Sequence, residues 1–584
     1  MRHLAPVLAL LAVAACGPRD PAVKPHQPPA PIAVAPEGGD TPAAVELAFT
    51  RGGAAAPGAA AAATAADHPA PAPVAEPQLP DGDDVTALVR ELNSDKYAGP
   101  PTTFRPGHVT PRQLSADALA RRADGFALKL PSGAPITTPA FYDGKIYVSG
   151  GFHSKEFYAV DAKTGRFAWG LDLDDDGPSA PACAEGVCAF DTESCTLFVV
   201  DAKTGAQRWS LWLGDPLTSS PAIASGRVFT SYPAGGGHGG LPQQQQLNNI
   251  NVSPFGNAAP PEQAPTAPTA AATAPSDGDK PRPPGVTHAL AAFDLHTGEI
   301  LWQVWIDSDV LSAPVAVGTH LYATSFAGTL YKLDQATGHI EAARKIRATS
   351  APVIAATGDI YYTRRDDKAG EAAAEVVVRA GAGGRAKWVG AKKTAAYLDH
   401  AVQSKSELAA QAAGNDAANG FAGGAPAAAN PAAAFGNVGQ NNVFSMQAFQ
   451  GSRVLATRWG NVNTMGDEVV CTDPATGAKR WTHKLSGDLA KAGGFLAAPP
   501  AEAGGHVFVG TLAGSVLQLD PTSGEVQRRF AVGHPVRSQP IVEGGWLYVG
   551  TDDGHLVGID TGDATLTGWS QWGADAARTG APRG

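Results

Sequence analysis

A nine-residue frame occurs twice with a spacing of 40 residues, as DAKTGRFAW at 161–169 and as DAKTGAQRW at 201–209. An Asp, a Gly-containing turn and a following strand recur in this order along the chain. The Asp positions are Asp161, Asp201, Asp294, Asp334, Asp473, Asp520 and Asp560. Because 584 residues exceed what one compact core normally organises, a repeat architecture is the first expectation.

Residues 312–334, SAPVAVGTHLYATSFAGTLYKLD, contain three short β runs separated by turns, and a turn and a fourth strand follow. A four-stranded antiparallel meander of about 40 residues is the period of a propeller blade. Seven clear units and a degenerate one, from residue 350 to near Trp388, predict an all-β, eight-bladed β-propeller of four-stranded blades. A count of seven is the alternative.

A closed ring avoids exposed strand edges. FALKLPSG, residues 126–133, reads as a lone outer strand, so we expect it to complete the last blade. The chain end, WSQWGADAARTG at residues 569–580, is expected to pack beside it.

Each residue type of the frame has a structural explanation. The Asp carboxylate can accept backbone N–H groups two or three residues later, and Gly permits the positive φ of the turn. The turn glycines are Gly165, Gly205, Gly298, Gly338 and Gly477. A Trp eight residues after the Asp predicts packing between blades, and these residues are Trp169, Trp209, Trp302 and Trp481. Ala342 and Arg528 replace it in two blades.

These residues resemble the PQQ-like repeat, A-x-D-x-x-T-G-x-x-x-W, of quinoprotein-type propellers, over residues 125–573. The resemblance implies one of two kinds of function. The family includes pyrroloquinoline quinone (PQQ) dehydrogenases and non-enzymatic, BamB-like outer-membrane lipoproteins. A dehydrogenase of this kind typically needs Ca²⁺ beside the quinone, an Asp base and often a ring formed by two adjacent cysteines.

The chain has no adjacent cysteines and no recognisable loop of Glu, Asn and Asp ligands. We therefore expect no cofactor and assign no catalytic or cofactor-binding residue. PQQ with Ca²⁺, in an alcohol or sugar dehydrogenase, remains the alternative, because scattered ligands could converge at the propeller axis.

The N-terminus predicts export and lipidation. Arg2 and His3 precede LAPVLALLAVAA, an apolar run too short to span a bilayer. Val13-Ala14-Ala15-Cys16 resembles a lipobox, so residues 1–16 are interpreted as a lipoprotein signal peptide with Cys16 as the lipidated residue. Ordinary cleavage after Ala15 is the alternative. Gly17, rather than Asp, favours the outer membrane, facing the periplasm.

Four segments are assigned outside the blades. Residues 17–124 are rich in Ala and Pro and predict a disordered tether. Within it, Val85, Leu88, Val89 and Leu92 have helical spacing, with Asp84 as the N-cap and Asn93 as the stop, which predicts a short helix against the propeller. The remaining segments are insertions 233–286 and 391–440, with a helix predicted over 394–413, and a C-terminal tail 574–584.

Two candidate sites match only part of a ligand set. Asp172, Asp174, Asp176 and Gly177 match the first half of a Ca²⁺ loop, but Cys183 occupies the twelfth position, so an acidic loop is the favoured interpretation. His238 in GGGHGG offers a single imidazole, which favours a mobile loop.

Cysteines other than Cys16 would lie in an oxidising compartment. Cys183 and Cys188 flank a turn and suit a disulfide, with Cys188 to Cys195 as the rival pairing and free thiols as the third possibility. Cys471 is the fourth cysteine besides Cys16.

The net charge of -11 argues against a nucleic-acid partner, because no basic run provides a phosphate-binding surface. The sequence therefore predicts a lipid-anchored, non-catalytic propeller that binds envelope proteins, with outer-membrane protein assembly as the specific hypothesis. A ligand sensor and the quinone dehydrogenase are the alternatives.

Overall fold

The computed structural model describes residues 77–94 and 106–567, except 152–153, 193–195, 214–218, 234–285, 287, 356, 368–373, 382–383, 391–392, 395–453, 490–491 and 493–494. The strands in these residues form eight antiparallel sheets. This confirms the predicted all-β propeller of eight blades. The chain divides into two units, Met1–His68 and Pro69–Gly584, and all described residues belong to the second unit.

The elements follow one another in the order of the repeats. The N-terminal ones are β1 (Asp83–Asp84), α1 (Thr86–Leu92), β2 (Val109–Pro111), a 3-10 turn (Ala116–Ala118), β3 (Leu119–Arg122) and β4 (Gly125–Lys129). Blade 1 contains β5 (Ala140–Tyr142), β6 (Lys145–Ser149), β7 (Glu156–Asp161) and β8 (Phe167–Leu173). Blade 2 contains β9 (Ala182–Ala184), β10 (Val187–Asp191), β11 (Thr196–Asp201) and β12 (Gln207–Trp212). Blade 3 contains β13 (Ala222–Ala224), β14 (Arg227–Pro233), β15 (His288–Asp294) and β16 (Ile300–Ile306).

The second half of the ring continues the pattern. Blade 4 contains β17 (Val315–Val317), β18 (His320–Thr324), β19 (Thr329–Asp334) and β20 (Ile340–Lys345). Blade 5 contains β21 (Val353–Ile354), β22 (Ile360–Arg365), β23 (Ala374–Ala380), β24 (Ala386–Val389) and β25 (Lys393–Thr394). Blade 6 contains β26 (Val454–Thr457), β27 (Gly460–Met465), β28 (Glu468–Thr472) and β29 (Lys479–Lys484). Blade 7 contains β30 (Ala501–Ala503), β31 (His506–Thr511), β32 (Ser515–Leu519) and β33 (Val526–Ala531), and blade 8 contains β34 (Ile541–Glu543), β35 (Trp546–Gly550) and β36 (His555–Asp560).

The first strands of the blades line the centre of the ring. Contacts join β5 to β9, β9 to β13, β13 to β17, β21 to β26, β26 to β30, β30 to β34, and β34 back to β5. The third strands are covered on both faces by neighbouring blades. In β11, TLFVVD, every residue except the terminal Asp201 is buried. Burial on both faces explains why these strands are nearly continuous apolar runs.

Strand β4 closes the ring, as the sequence predicted. It pairs antiparallel with β36, and β3 adds a further strand to the outside of β4. Blade 8 is thus assembled from the two ends of the described chain, which removes the exposed edge of an open array. The expected position of residues 569–580 lies outside the described residues.

We call residues 77–94 and 106–122 the N-terminal belt. Their structure differs from the disordered tether that the sequence predicts for this region. In the belt, β1 pairs with β20 of blade 4, β2 with β8 of blade 1, and β3 with β4 of blade 8. The composition of 17–124 predicts disorder because the segment has too few apolar residues for a core of its own. The belt needs no core of its own, because the edges of the blades supply its backbone hydrogen-bond partners.

Helix α1 packs on the propeller, as predicted. Leu92 is buried with the core of blades 2–4, and Val85, Leu88 and Val89 pack against the same cluster. The N-terminus differs by one residue, because Asp84 is paired in β1 and Val85 takes the N-cap position. At the other end, the Asn93 side-chain amide donates to the Ile340 carbonyl and accepts from its N–H, at 2.8 and 3.1 Å.

The alternation of strands gives the propeller two faces. The turn face carries the hairpins between first and second strands and the Asp turns between third and fourth strands. The loop face carries the loops between second and third strands and the connections between blades. The chain leaves blade 3 after Pro233 and returns at His288, and it leaves blade 5 after Thr394 and returns at Val454, so both insertions depart from the loop face. β25 pairs with β23, which places Lys393 and Thr394 in blade 5.

Across the described residues, α1 included, no helix combines the length and apolar character needed to span a membrane.

Candidate functional site

The repeated Asp residues order the turns of the turn face. Asp161 Oδ1 accepts the Thr164 N–H at 2.8 Å and the Thr164 hydroxyl at 2.6 Å. The same arrangement occurs at Asp201, Asp294, Asp334, Asp473 and Asp520. Asp560 accepts the Gly562 N–H at 2.8 Å. The N–H of Thr297 holds the pKa of Asp294 below its usual value, because these bonds favour the ionised form.

Five Trp residues each join one of these turns to the preceding blade. Trp209 Nε1 donates to the Leu295 carbonyl of the next blade at 3.0 Å, directly after Asp294. Trp169, Trp302, Trp388 and Trp481 make the corresponding bond, at 2.8–3.1 Å. All five are 7–9% exposed. The Asp–Gly–Trp frame is therefore a contact between neighbouring blades, which we call the seam.

The turn glycine faces the Trp ring of the preceding blade. Gly205 has φ +74°, and a Cβ placed there would lie 2.7 Å from the Trp169 ring. Gly298, Gly338, Gly477 and Gly524 face Trp209, Trp302, Trp388 and Trp481 in the same way. Gly is thus required for its positive φ and for the absence of a side chain.

Three seams lack the Trp. At the seam of blades 8 and 1, Phe126 of β4 faces Gly165. At the seam of blades 7 and 8, Arg528 replaces the Trp, and its Nη2 donates to the Thr561 carbonyl at 2.9 Å.

At the seam of blades 4 and 5, where Ala342 replaces the Trp, the belt enters. Leu79 is 9% exposed and buried in the cluster against which Ala342 packs. Asp81 N–H donates to the Gly384 carbonyl at 2.8 Å.

The candidate Ca²⁺ ligands have other partners. Asp172 pairs with Arg112, Asp174 Oδ2 accepts the His108 N–H at 2.9 Å, and Asp176 Oδ1 lies 3.2 Å from Lys155 Nζ. Two of these partners belong to the belt. The carboxylates diverge to separate donors, and this acidic loop anchors the belt to blade 1.

A disulfide joins Cys183 and Cys188, which are direct partners on neighbouring strands of blade 2. Their Cα atoms are 4.1 Å apart. Cys471 is a buried free thiol in blade 6, and burial raises its pKa to about 11, which disfavours the thiolate. Cys16, Cys195, His238 and the predicted helix from residue 395 onwards lie outside the described residues.

On the loop face, buried hydroxyl–carboxylate hydrogen bonds tie strand ends and connecting segments together in blades 2–5. Thr230 of blade 3 donates to Asp191 of blade 2 at 2.7 Å, and Ser231 donates to Asp309 in the connection to blade 4. Thr349 donates to Glu375 of blade 5 at 2.6 Å. The three carboxylate residues are 0–2% exposed. Buried hydrogen bonds of this kind fix side-chain geometry, so they hold the ends of these strands and the connecting segments in place at this face.

One group of possible metal ligands occurs among the described residues: His534, Asp553 and His555, with ligand atoms within 4.8 Å of one another. His534 lies in the connection from blade 7 to blade 8, and the other two lie in or beside the β35–β36 loop. Partial burial raises the pKa of Asp553, but hydrogen bonds from Thr551, His555 and His534 outweigh it and hold the pKa well below its usual range. Sequence reasoning missed this group because His534 belongs to another repeat, and only the proximity of Asp553 to His555 was visible.

The comparison with protein families gives one match, to the family described as outer membrane protein assembly factor BamB, over residues 112–253, 285–454 and 465–582. In the comparison with curated proteins, none matches. Similar solved structures include BamB from Moraxella catarrhalis, at 15% identity, 75% coverage of this chain, 97% of that chain and a TM-score of 0.44.

Quinohemoprotein alcohol dehydrogenases are also similar. The enzyme ADHIIG from Pseudomonas putida HK5 has 13% identity, 76% coverage of each chain and a TM-score of 0.41. The enzyme from Comamonas testosteroni has 13% identity, 83% coverage of each chain and a TM-score of 0.42. The family match extends over more than half of the chain, and its segments contain all five Trp seams described above. The chain therefore belongs to the family of PQQ-like repeat propellers described as outer membrane protein assembly factor BamB.

Proposed function

We propose that this protein is a non-catalytic scaffold of the bacterial cell envelope, anchored by lipid at Cys16, that binds other envelope proteins through its loop face. Outer-membrane protein assembly is the specific role proposed, because the family description names an assembly factor.

The observation that carries the proposal is the construction of the loop face. A buried carboxylate joins blades 2 and 3, two others tie connecting segments to blades 3 and 5, and both insertions leave from this face, after Pro233 and after Thr394. Rigid blades that present long connections on one side suit the recognition of a protein surface.

The N-terminal belt is consistent with an anchored scaffold. Pro77, the first described residue, lies beside Leu79 at the seam of blades 4 and 5. A pull on an anchored N-terminus would act first on the belt and on its pairing with the edge of blade 4.

Site-specific photo-crosslinking in cells tests the proposal. We would place the crosslinker at Lys155 and Ser486 on the loop face, and at Lys163 and Lys203 on the turn face as matched exposed controls. A defined envelope protein captured only from the loop face is the expected result. Capture from the turn face alone, or from neither face, contradicts the proposed binding surface.

Two further measurements separate the parts of the proposal. Cys16→Ser should release the protein from membrane fractions, and unchanged membrane association would exclude lipidation as the anchor. Adding PQQ and Ca²⁺ to the purified protein should give no quinone absorbance and no dye-linked oxidation of alcohols or sugars. Quinone absorbance together with dye-linked oxidation would contradict the scaffold proposal and support a dehydrogenase.

A further inference from the structure

We propose that His534, Asp553 and His555 form a binding site for a divalent transition-metal ion such as Zn²⁺, on the loop face between blades 7 and 8. The site goes beyond the proposed scaffold function and does not depend on it.

The ligand atoms already lie close together. Asp553 Oδ2 lies 2.6 Å from His534 Nδ1, and Asp553 Oδ1 lies 3.1 Å from His555 Nδ1. The two imidazoles are stacked, with centroids 3.9 Å apart and planes inclined by 19°. Ligands bound to one Zn²⁺ at about 2.1 Å in a tetrahedral arrangement stand about 3.4 Å apart. Each of the two N–O pairs therefore has to open by less than about 1 Å to admit an ion. Because the imidazoles are stacked with nearly parallel planes, one ring must also turn so that both Nδ1 atoms face the ion.

The backbone fixes the ligands from blade 8. The Thr551 hydroxyl donates to Asp553 Oδ1 at 2.7 Å and accepts the His555 N–H at 2.9 Å. Gly554 has φ +82° and packs against Gly133, so the loop sits directly on the chain that follows the ring-closing strand. Lys129, the last residue of that strand, donates to the Asp553 carbonyl. This support leaves little conformational entropy to be lost when an ion binds.

His534 is held from the blade 7 side. The N–H groups of Val532 and Gly533 donate to the Gly514 carbonyl at 2.9 and 3.0 Å, which fixes the chain just before His534. The neighbouring carboxylate, Asp552, is paired with Arg537 at 2.6 Å, so it does not compete with Asp553 for the two imidazoles. The two halves of the site are thus positioned independently, one by each blade.

The donor set selects the class of ion. Two imidazoles and one carboxylate suit Zn²⁺, Co²⁺, Ni²⁺ or Fe²⁺, whereas Ca²⁺ and Mg²⁺ prefer oxygen ligands. The side chains of His534, Asp553 and His555 are 31%, 45% and 19% exposed, so an ion can reach them from solvent. Three protein ligands leave at least one position for water or for a ligand from a partner.

An ion here would join the exit of blade 7 to blade 8 on the loop face, at the opposite end of the strands from the seam where Arg528 replaces the Trp. It would also lie next to the segment that follows β4. We therefore expect occupancy to stabilise ring closure, because an ion that binds only the folded state raises the free energy of unfolding.

Zn²⁺ titration by calorimetry tests the site, with tag-free full-length protein freed of metal by a chelator. We expect stoichiometric binding by the wild-type protein and an affinity roughly tenfold or more weaker in His534→Gln, Asp553→Asn and His555→Gln. Co²⁺ provides a second readout, because its visible absorption reports nitrogen and oxygen coordination and should be lost in the same variants.

His296→Gln, at an exposed turn-face position, is the matched control and should retain both signals. Circular dichroism checks that each variant folds, and thermal unfolding with and without Zn²⁺ should show stabilisation of the wild type that the three variants lose. Equal Zn²⁺ affinity in the wild type and in the His534→Gln/His555→Gln double variant overturns the proposal. So does a loss of binding in the control as large as in the three site variants.

Discussion

The seam of blades 2 and 3 and the seam of blades 4 and 5 solve the same problem with different parts of the chain. In the first, Trp209 fills the space over Gly298 and bonds to the next turn. In the second, Ala342 stands at the Trp position, Leu79 of the N-terminal belt is buried in the cluster against which Ala342 packs, and the Leu79 carbonyl lies over Gly384. The comparison shows that the repeat need not supply every seam, because a segment that crosses the blade edges can complete one.

The largest expected effect is at a seam that the repeat closes by itself. Trp209→Ala should lower the free energy of unfolding by about 3–5 kcal/mol, because it leaves a cavity under the next blade. Denaturant unfolding measures it. Trp209→Phe keeps most of the ring and loses the N–H bond, so its cost should be nearer about 1–2 kcal/mol. Equal costs for the two variants would mean that the bond, rather than packing, holds the seam.

Leu79→Ala tests the seam that the belt closes. It should cost about 2–3 kcal/mol, because a side chain 9% exposed leaves its cluster. Val526→Ala, at a residue 36% exposed on the outer strand of blade 7, is the control and should stay within about 0.5 kcal/mol. Faster hydrogen exchange of the Asp81 amide, which bonds to Gly384, should accompany the Leu79 change. An unaffected stability would show that Leu79 does not replace the missing Trp.

Two glycine substitutions separate turn strain from seam packing. Gly205→Ala and Gly562→Ala both place a side chain at positive φ, +74° and +73°, but only the first meets a Trp ring. Strain alone should cost about 1 kcal/mol, and Gly205→Ala should cost about 1–2 kcal/mol more. Thermal or denaturant unfolding of the pair measures the difference, and identical costs would remove the packing role assigned to the glycine.

The smallest effect concerns the turn carboxylates. Hydrogen bonds to the carboxylate hold the pKa of Asp473 well below its usual value. The largest contribution comes from the Thr476 N–H and the next from the Arg480 side chain. Because the pKa of Asp473 is lower in the folded protein than in the unfolded chain, the ionised carboxylate stabilises the fold above about pH 4. This stabilisation is lost as the pH falls below the pKa of the unfolded chain towards the pKa of the folded protein. Asp473→Asn should therefore be less stable than the wild type at neutral pH, and the gap should narrow in acid. A gap that stays constant with pH would exclude the ionised carboxylate as the cause.

The sequence alone determined the propeller. The spacing of Asp, Gly and Trp revealed the repeat, and FALKLPSG revealed the closing strand, because turn geometry, strand period and the need to pair an edge are local requirements. The seams at Trp169 and Trp209 followed from the same frame. The belt strands β1, β2 and β3 could not be recognised, because they depend on edges that other parts of the chain provide.

Only the tertiary structure decided which residues meet across repeats. Asp172 and Asp174 resembled ion ligands in the sequence, yet the fold places Arg112 and the His108 N–H against them. Asp553 and His555 carried no recognised motif, yet ring closure brings His534 of the preceding connection within 2.6 Å of Asp553. The physical reason is the same in both cases: local sequence sets the conformation of a turn, whereas the partners of its side chains are set by how the blades close on one another.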